Sequence, residues 1–128
     1  MDDPQSEANN HVKTILVVED DKDIGRFLVE AIKDATSYQA LLVTDGYQAL
    51  KVVHDIKPNL FLLDYGLPHM NGFELSDRLH ATNELESVPT LMISANCSWQ
   101  EAQKRQFACL SKPFDLNELL STIHRLLA

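Results

Sequence analysis

The sequence predicts an α/β domain in which a five-stranded parallel sheet is covered by helices on both faces. Five short apolar runs, each typical of a strand, alternate with segments whose apolar residues recur at helical spacing. The runs show no polar alternation, which is the pattern of strands buried on both faces in a parallel sheet. The length of 128 residues, with 45% hydrophobic residues, fits one domain that can fold around its own core.

The first half of the chain contains two predicted strand–helix units. Residues 14–18 form a β-branched run, Thr-Ile-Leu-Val-Val, that predicts the first strand. Apolar residues recur at helical spacing over residues 24–35 and predict the first helix. A second strand is predicted over residues 38–43. The second helix has apolar residues over 49–56 and is expected to end before Pro58, because a proline disfavours helical backbone in the residue before it.

The third unit consists of a buried strand, Leu-Phe-Leu-Leu at residues 60–63, and a helix that starts after Gly72. The fourth strand, Thr-Leu-Met-Ile at residues 90–93, is entered through a proline. A strand followed by a helix and then by a parallel strand requires a right-handed crossover, so these units extend the same sheet.

The last part of the chain repeats the alternation with shorter elements. A weaker helix is predicted over residues 98–106, with Trp99 and Ala102 as its apolar residues. A short fifth strand covers residues 108–110. A clear apolar stripe over residues 116–127 predicts the last helix, and the aspartate before it is expected to be the N-cap.

Polar residues follow the predicted strands at the point where each strand ends. Glu19 and Asp20 follow the first strand, Asp64 the third, Ser94 the fourth and Lys112 the fifth. Ligands of open α/β sheets bind beyond the carboxyl ends of the strands, so these side chains are expected to converge there. Three carboxylates at one edge would repel each other, and a hard divalent cation relieves that cost. Mg²⁺ is the predicted ion, because it takes oxygen ligands from one or two carboxylates together with a phosphate.

This arrangement makes Asp64 a candidate nucleophile, because carboxylates form aspartyl-phosphate intermediates. Lys112 supplies a positive charge for a phosphoryl group on Asp64, and Ser94 supplies a hydrogen-bond donor. The residues therefore predict phosphoryl transfer to the protein itself.

Four segments, in their order and spacing, resemble the receiver domain of two-component response regulators, of the chemotaxis-regulator type. They are Ile-Leu-Val-Val-Glu-Asp-Asp at 15–21, Leu-Leu-Asp-Tyr-Gly-Leu-Pro-His-Met-Asn-Gly at 62–72, Ser-Ala at 94–95, and Lys-Pro-Phe at 112–114. The resemblance implies a flavodoxin-like, doubly wound (βα)5 fold with strand order 2-1-3-4-5. Residues 12–128 are expected to form the receiver domain, and residues 1–11 a disordered N-terminal tail.

The resemblance also implies a mechanism and a partner. Asp64 would accept a phosphoryl group from a phosphohistidine of a sensor histidine kinase or phosphotransfer protein. Ser94 would be the switch hydroxyl, and Lys112, joined to Pro113 by a cis peptide bond, would pair with the phosphoryl group. The implied Mg²⁺ ligands are Glu19, Asp20, Asp64 and the backbone carbonyl of Gly66. Such a protein is not a conventional enzyme, since it catalyses only its own phosphorylation and dephosphorylation and then controls a downstream partner.

The chain departs from the family pattern near the fifth strand. Cys109 stands where the family usually has an aromatic residue that moves on activation, and Arg105-Gln106 replaces a frequent Gly-Ala pair. The two cysteines, Cys97 and Cys109, lack Cys-x-x-Cys spacing and predict inert thiols in a reduced, intracellular setting. A disulfide between them is left open, as an unexpected link in a domain with an adequate core.

Other functions remain as alternatives. A degenerate receiver would bind partners without phosphorylation, and Cys109 keeps this reading open. An aspartyl-phosphate phosphohydrolase would need an acid two residues after the nucleophile, where this chain has Gly66. A flavin-binding protein would need amides and hydroxyls at the site rather than carboxylates. Sixteen residues follow Lys112, so the expectation is a stand-alone regulator or the receiver piece of a longer protein.

The composition argues against two further classes of partner. The net charge of −8 disfavours binding of nucleic acid by phosphate neutralisation, and favours basic partners or metal cations. The longest apolar runs have four residues, whereas a membrane span needs about 20. The start of the chain has neither the basic nor the apolar region of a signal peptide, so the predicted location is the cytoplasm.

Overall fold

Five strands and five helices alternate along residues 12–128, the part of the chain that the computed structural model describes. The strands are β1 (Thr14–Val18), β2 (Gln39–Val43), β3 (Leu60–Asp64), β4 (Thr90–Ser94) and β5 (Ala108–Ser111). The helices are α1 (Lys22–Ala35), α2 (Gly46–Val52), α3 (Gly72–His80), α4 (Trp99–Arg105) and α5 (Leu116–Leu127). The predicted disordered tail, residues 1–11, lies outside the described residues. Within residues 12–128, no helix combines the length and the apolar character needed to cross a bilayer.

The strands form one parallel sheet in the order β2-β1-β3-β4-β5, which confirms the predicted fold class. Val18 on β1 lies opposite Val43 on β2 and Leu63 on β3. The carboxyl ends of these three strands therefore lie side by side, and the polar side chains at these ends meet at one edge of the sheet.

The two faces of the sheet bury separate apolar clusters, because alternate residues of a strand point to opposite faces. One cluster joins β1 to α1 and α5: Ile15, Val17, Leu28, Ile32, Leu119 and Ile123. The other joins β1 to α2, α3 and α4: Leu16, Val18, Ala49, Leu75, Leu79 and Ala102. The helices thus cover both faces, as the uninterrupted apolar runs predicted.

Each helix begins at a polar N-cap whose side chain accepts hydrogen bonds from backbone N–H groups of the first turn. The N-caps are Asp21, Asp45, Asn71, Ser98 and Asp115. Each cap lies in the connection that leaves the carboxyl end of a strand. The caps therefore fix the backbone where the functional side chains emerge.

The second helix is shorter than predicted. It ends at Val52, whereas the sequence pattern extended to residue 56. The His54 N–H donates to the Lys51 carbonyl (3.3 Å) and the Asp55 N–H to the Val52 carbonyl (3.0 Å), so the chain tightens into turns. The apolar residues of this turn, up to residue 56, keep the spacing of a helix, so the sequence pattern does not show that the helix ends at Val52.

Two aromatic residues with helical spacing lie on the surface. Trp99 and Ala102 were predicted as the apolar residues of α4, and only Ala102 is buried, whereas 64% of Trp99 is exposed. Phe27 on α1 is 59% exposed, because the buried stripe of that helix consists of Gly25, Leu28 and Ile32. Periodicity identified these helices but not which apolar residues face the sheet.

Cys97 and Cys109 form a disulfide, so the prediction of inert thiols was wrong. Cys109 lies on β5 opposite Met92 of β4, and Cys97 lies in the loop that leaves β4. The loop brings the two Cα atoms to 6.2 Å, within the range of protein disulfides. The side-by-side pairing of β4 and β5 produces this proximity, and the spacing of 12 residues carries no signal for it.

Candidate functional site

Three carboxylates meet at the carboxyl edge of the sheet. Oxygen atoms of Glu19, Asp20 and Asp64 all lie within 4.8 Å of one another. Glu19 and Asp20 follow β1, and Asp64 is the last residue of the neighbouring strand β3. The structure therefore brings together the three acids that the sequence singled out.

The backbone holds Glu19 in a buried position, with only 3% of the residue exposed. Its N–H donates to the Val43 carbonyl of β2 (3.1 Å), which extends the strand pairing by one residue. Its Oε2 accepts a hydrogen bond from the Asp21 N–H (3.2 Å). Asp20, between them, is exposed at the mouth of the site.

Lys112 supplies the positive charge of the site. Its Nζ donates to Asp64 Oδ1 (3.0 Å) and lies 3.9 Å from Glu19 Oε1. The Lys112 N–H donates to the Ser94 carbonyl at the end of β4 (2.8 Å), and the following bond to Pro113 is cis. This lysine is thus held across two carboxylates that belong to different strands.

The site has too little positive charge to match its acids. The pKa of Glu19 is raised to about 7. Burial is the largest cause, the hydrogen bond from the Asp21 N–H acts in the opposite direction, and the negative charge of Asp64 adds to the rise. The site contains one ammonium group, that of Lys112, and three carboxylates, of which two are buried and that of Asp20 is exposed. A divalent cation with oxygen ligands would match this donor set and its charge.

Ser94 lies at the end of β4, beside the strand that carries Asp64. Its hydroxyl donates to the Asn96 carbonyl and accepts a hydrogen bond from the Asn96 N–H, both at 3.2 Å. The structure therefore places Ser94 next to the acidic cluster, with its hydroxyl bonded to the loop that follows β4.

Two glycines follow β3: Gly66 lies in the loop after the strand, and Gly72 is the first residue of α3. Gly66 is exposed, and a Cβ atom built on it would lie 3.9 Å from Asp64 Oδ2, so its backbone runs beside that carboxylate. A Cβ atom on Gly72 would come within 2.5 Å of Met92 Sδ and 3.0 Å of the Asp64 carbonyl oxygen. The start of α3 can pack this closely against the end of β3 because residue 72 has no side chain.

A cavity of about 680 Å³ lies beside the site, next to α3 and α4. Its lining includes Tyr65, Phe73, Ser94, Arg105 and Cys109. The resemblance to receiver domains implies an aromatic residue at position 109, and here a disulfide-bonded cysteine occupies that position. The departure at this position therefore changes the wall of a cavity that touches Ser94.

Arg105 connects the two helices beside this cavity, a role that the sequence did not indicate. Its guanidinium donates to both carboxylate oxygens of Asp77 on α3 (3.1 and 3.2 Å) and to Glu101 on its own helix. It also lies 4.7 Å from the centre of the Phe73 ring. The spacing of Glu101 and Arg105 signals a helix pair, but the contact with α3 depends on the tertiary fold.

Known proteins share both the sequence pattern and the fold. The family described as "Response regulator receiver domain" matches residues 15–124. The chain is 29% identical to hybrid signal transduction histidine kinase D of Dictyostelium discoideum over 96% of its own length, and it spans only 8% of that relative.

Two solved structures show the same architecture. Chemotaxis protein CheY4 of Vibrio cholerae is 27% identical, with a TM-score of 0.83 over 91% of this chain and 99% of that one. The receiver domain of sensor histidine kinase PA1611 from Pseudomonas aeruginosa PAO1 is 26% identical, with a TM-score of 0.76 over 91% and 98% of the chains. That structure has a magnesium ion coordinated in its active site cleft. The sequence match, the sheet order and the acidic edge agree, and the chain belongs to the response regulator receiver domain family of two-component signalling.

Proposed function

We propose that Asp64 accepts a phosphoryl group from a phosphohistidine of a sensor histidine kinase or phosphotransfer protein, in a Mg²⁺-dependent reaction. The observation that carries this proposal is the position of Asp64. It lies 3.0 Å from the Lys112 ammonium and within 4.8 Å of two further carboxylates. A phosphoryl group on Asp64 would meet a cation site on one side and an ammonium on the other.

The residues that would hold Mg²⁺ are the carboxylates of Glu19, Asp20 and Asp64 and the backbone carbonyl of Gly66. All of these ligands are oxygens, and the three carboxylates share the single ammonium group of Lys112. When bound, the ion would neutralise charge on the phosphoryl oxygens.

The side chains of the site have separate tasks in the transfer. An Asp64 carboxylate oxygen forms the new bond to phosphorus, while the bond from phosphorus to the donor imidazole nitrogen breaks and its electron pair stays with the imidazole. The Lys112 ammonium exchanges its partner, from the Asp64 carboxylate to a phosphoryl oxygen.

The Ser94 hydroxyl would respond next. It leaves the Asn96 carbonyl and donates to a phosphoryl oxygen, which changes the loop after β4. This conformational change would control a downstream protein target. The protein would act on its own phosphoryl group only, rather than turn over a separate substrate.

All five polar positions carry the group that this chemistry requires, which favours phosphorylation over a phosphorylation-independent interaction module. The proposal includes a receiver domain that spans residues 12–128, a cytoplasmic location, and no direct contact with nucleic acid or membrane.

The test is labelling with acetyl phosphate in the presence of Mg²⁺, followed by intact mass measurement. We expect the wild-type chain to gain one phosphoryl group and Asp64→Asn to gain none. Asp34→Asn is the matched control, because Asp34 is exposed on α1 outside the site. Unchanged labelling of Asp64→Asn would place the nucleophile elsewhere. The proposal also requires that the wild-type chain is not labelled when Mg²⁺ is left out.

A further inference from the structure

The disulfide joins the two segments that carry the switch residues. Cys97 lies three residues after Ser94, and Cys109 lies three residues before Lys112. Both cysteines are buried, with 8% of each residue exposed. The bond therefore fixes the loop between β4 and α4 against the neighbouring strand β5.

This loop also determines where the Ser94 hydroxyl points. That hydroxyl is bonded in both directions to the backbone of Asn96, the residue directly before Cys97. Rotation of the Ser94 hydroxyl toward Asp64 must break these bonds, which frees the Asn96 backbone directly before the disulfide-linked Cys97. The link thus restrains the part of the chain that has to move.

We propose that the Cys97–Cys109 pair is a redox modification site that sets how far the β4–α4 loop responds to phosphorylation. This inference rests on the proposed function of Asp64. In the disulfide form the loop stays on β5, and Ser94 keeps its bonds to Asn96. In the dithiol form the loop moves, and the Ser94 hydroxyl reaches the phosphoryl group.

The reductant would be a dithiol, and it would reach the Cys109 sulfur through the cavity beside Ser94. Cys109 is part of the lining of the cavity beside Ser94 and Asn96. A thiolate attacks the Cys109 sulfur, the sulfur–sulfur bond breaks, and Cys97 leaves as a thiolate that takes a proton from water. The second thiolate of the reductant then attacks the mixed disulfide and releases Cys109, which also takes a proton. Two electrons pass to the protein, and the reductant becomes a disulfide.

A purely structural role for the disulfide is less consistent with the size of the apolar core than a regulatory role is. The chain already has an apolar cluster on each face of the sheet, whereas domains that depend on disulfides for folding usually lack such a core. In a reducing compartment, disulfides are usually transient and redox-sensing. The proposed cytoplasmic location therefore favours regulation.

The first experiment measures the loop without any phosphoryl analogue. Alkylation and intact mass first establish that oxidised protein has no reactive thiol and reduced protein has two. Hydrogen exchange is then compared between the two forms, with Cys97→Ser/Cys109→Ser as the control that cannot be oxidised. We expect amides of residues 95–99 to exchange about tenfold faster after reduction, and equally fast in both buffers for the control. The exchange times are kept short enough that the core amides of β1 and β3 stay protected in both forms, so that unfolding of the whole domain does not contribute.

The second experiment measures the response to Mg²⁺ and beryllofluoride, an analogue of the phosphoryl group. Calorimetry reports binding, and fluorescence of Trp99, the only tryptophan, reports the start of α4. We expect binding in both redox states, with a Trp99 response about threefold smaller in the oxidised form.

Each outcome decides the proposal. Two reactive thiols in oxidised protein, equal exchange in the two forms, or an equal Trp99 response with intact binding would each overturn it. If beryllofluoride binds in neither form, the proposed function of Asp64 fails, and the exchange comparison alone then decides whether the bond restrains the loop. If the double variant fails to fold, the same exchange and fluorescence measurements are made on oxidised and reduced wild-type protein alone.

Discussion

At the scale of single residues, Glu19 shows how the site lowers the stability of the fold as the pH rises. Its carboxylate is removed from water next to Asp64, and burial is the largest cause of its raised pKa. An acid whose pKa is higher in the folded state binds protons more tightly there than in the unfolded chain. Glu19 therefore favours folding fully below pH 4.5, and this contribution is lost as the pH rises through about 7.

We predict that replacing Glu19 with glutamine removes this pH dependence in metal-free protein. The free energy of unfolding of Glu19→Gln, relative to wild type, should rise by about 3 kcal/mol between pH 4 and pH 8. Urea denaturation in the presence of a chelator measures it. Glu30→Gln, on the exposed side of α1, is the control and should show no such trend. Saturating Mg²⁺ should reduce the difference, and a difference that does not vary with pH would contradict the prediction.

The sequence predicted the charged residues of the site better than its hydroxyl and its sulfur atoms. Asp64 and Lys112 could be placed because each follows an apolar run, and the carboxyl ends of parallel strands share one edge. The orientation of the Ser94 hydroxyl and the contact of Cys97 with Cys109 depend on the loop after β4. No periodic pattern describes that loop, so these details could not be predicted.

At the scale of elements, α4 ends in an unusual way. Gln106, its C-cap, has left-handed backbone angles (φ 58°, ψ 38°), which favour glycine. This residue belongs to the pair that replaces the Gly-Ala of the family. Arg105 compensates at the same helix end by binding Asp77 and Glu101, so polar contacts hold a helix that buries only Ala102.

We predict that Gln106→Gly stabilises the protein by about 0.5–1 kcal/mol, because glycine adopts the left-handed conformation without strain. Thermal and urea unfolding measure the change. The matched control is Gln103→Gly in the exposed middle of the same helix, which should destabilise by about 1 kcal/mol. Equal effects of the two substitutions would contradict the assignment of strain to residue 106.

Helices and strands could be predicted wherever apolar spacing matched burial. The stripe over residues 116–127 gave α5 with its bounds, because Leu119, Ile123 and Leu127 are buried against the sheet and recur every four residues. The pattern failed at the end of α2, where a turn continued the helical spacing, and at Trp99, which is exposed. The spacing of apolar residues indicates that a helix can form, whereas the burial of each residue depends on which side of the helix packs against the sheet.

At the scale of the whole molecule, two apolar clusters and one covalent link hold the domain together. Alternation of elements was enough to predict a parallel sheet, but not the order of its strands. The order came from the resemblance to receiver domains, and the structure confirms it. The link between the loop after β4 and the strand β5 was found only in the folded chain.

We predict that reduction of the disulfide destabilises the whole domain without unfolding it. The bond closes a loop with a sequence separation of 12 residues, and loss of such a restraint on the unfolded chain costs about 3 kcal/mol. Urea midpoints with and without a phosphine reductant measure it. Cys97→Ser/Cys109→Ser should show the lower midpoint in both buffers, and a midpoint insensitive to reduction in wild type would contradict the prediction.

The shared position of the five N-caps has an electrostatic consequence. All five helices start near the carboxyl edge of the sheet, so the positive ends of their macrodipoles lie around the acidic cluster. The chain carries a net charge of −8, yet the aligned peptide dipoles add positive potential on this side alone. These dipoles offset part of the negative charge of the carboxylates at this edge, which weakens the repulsion that an anionic phosphate donor meets there.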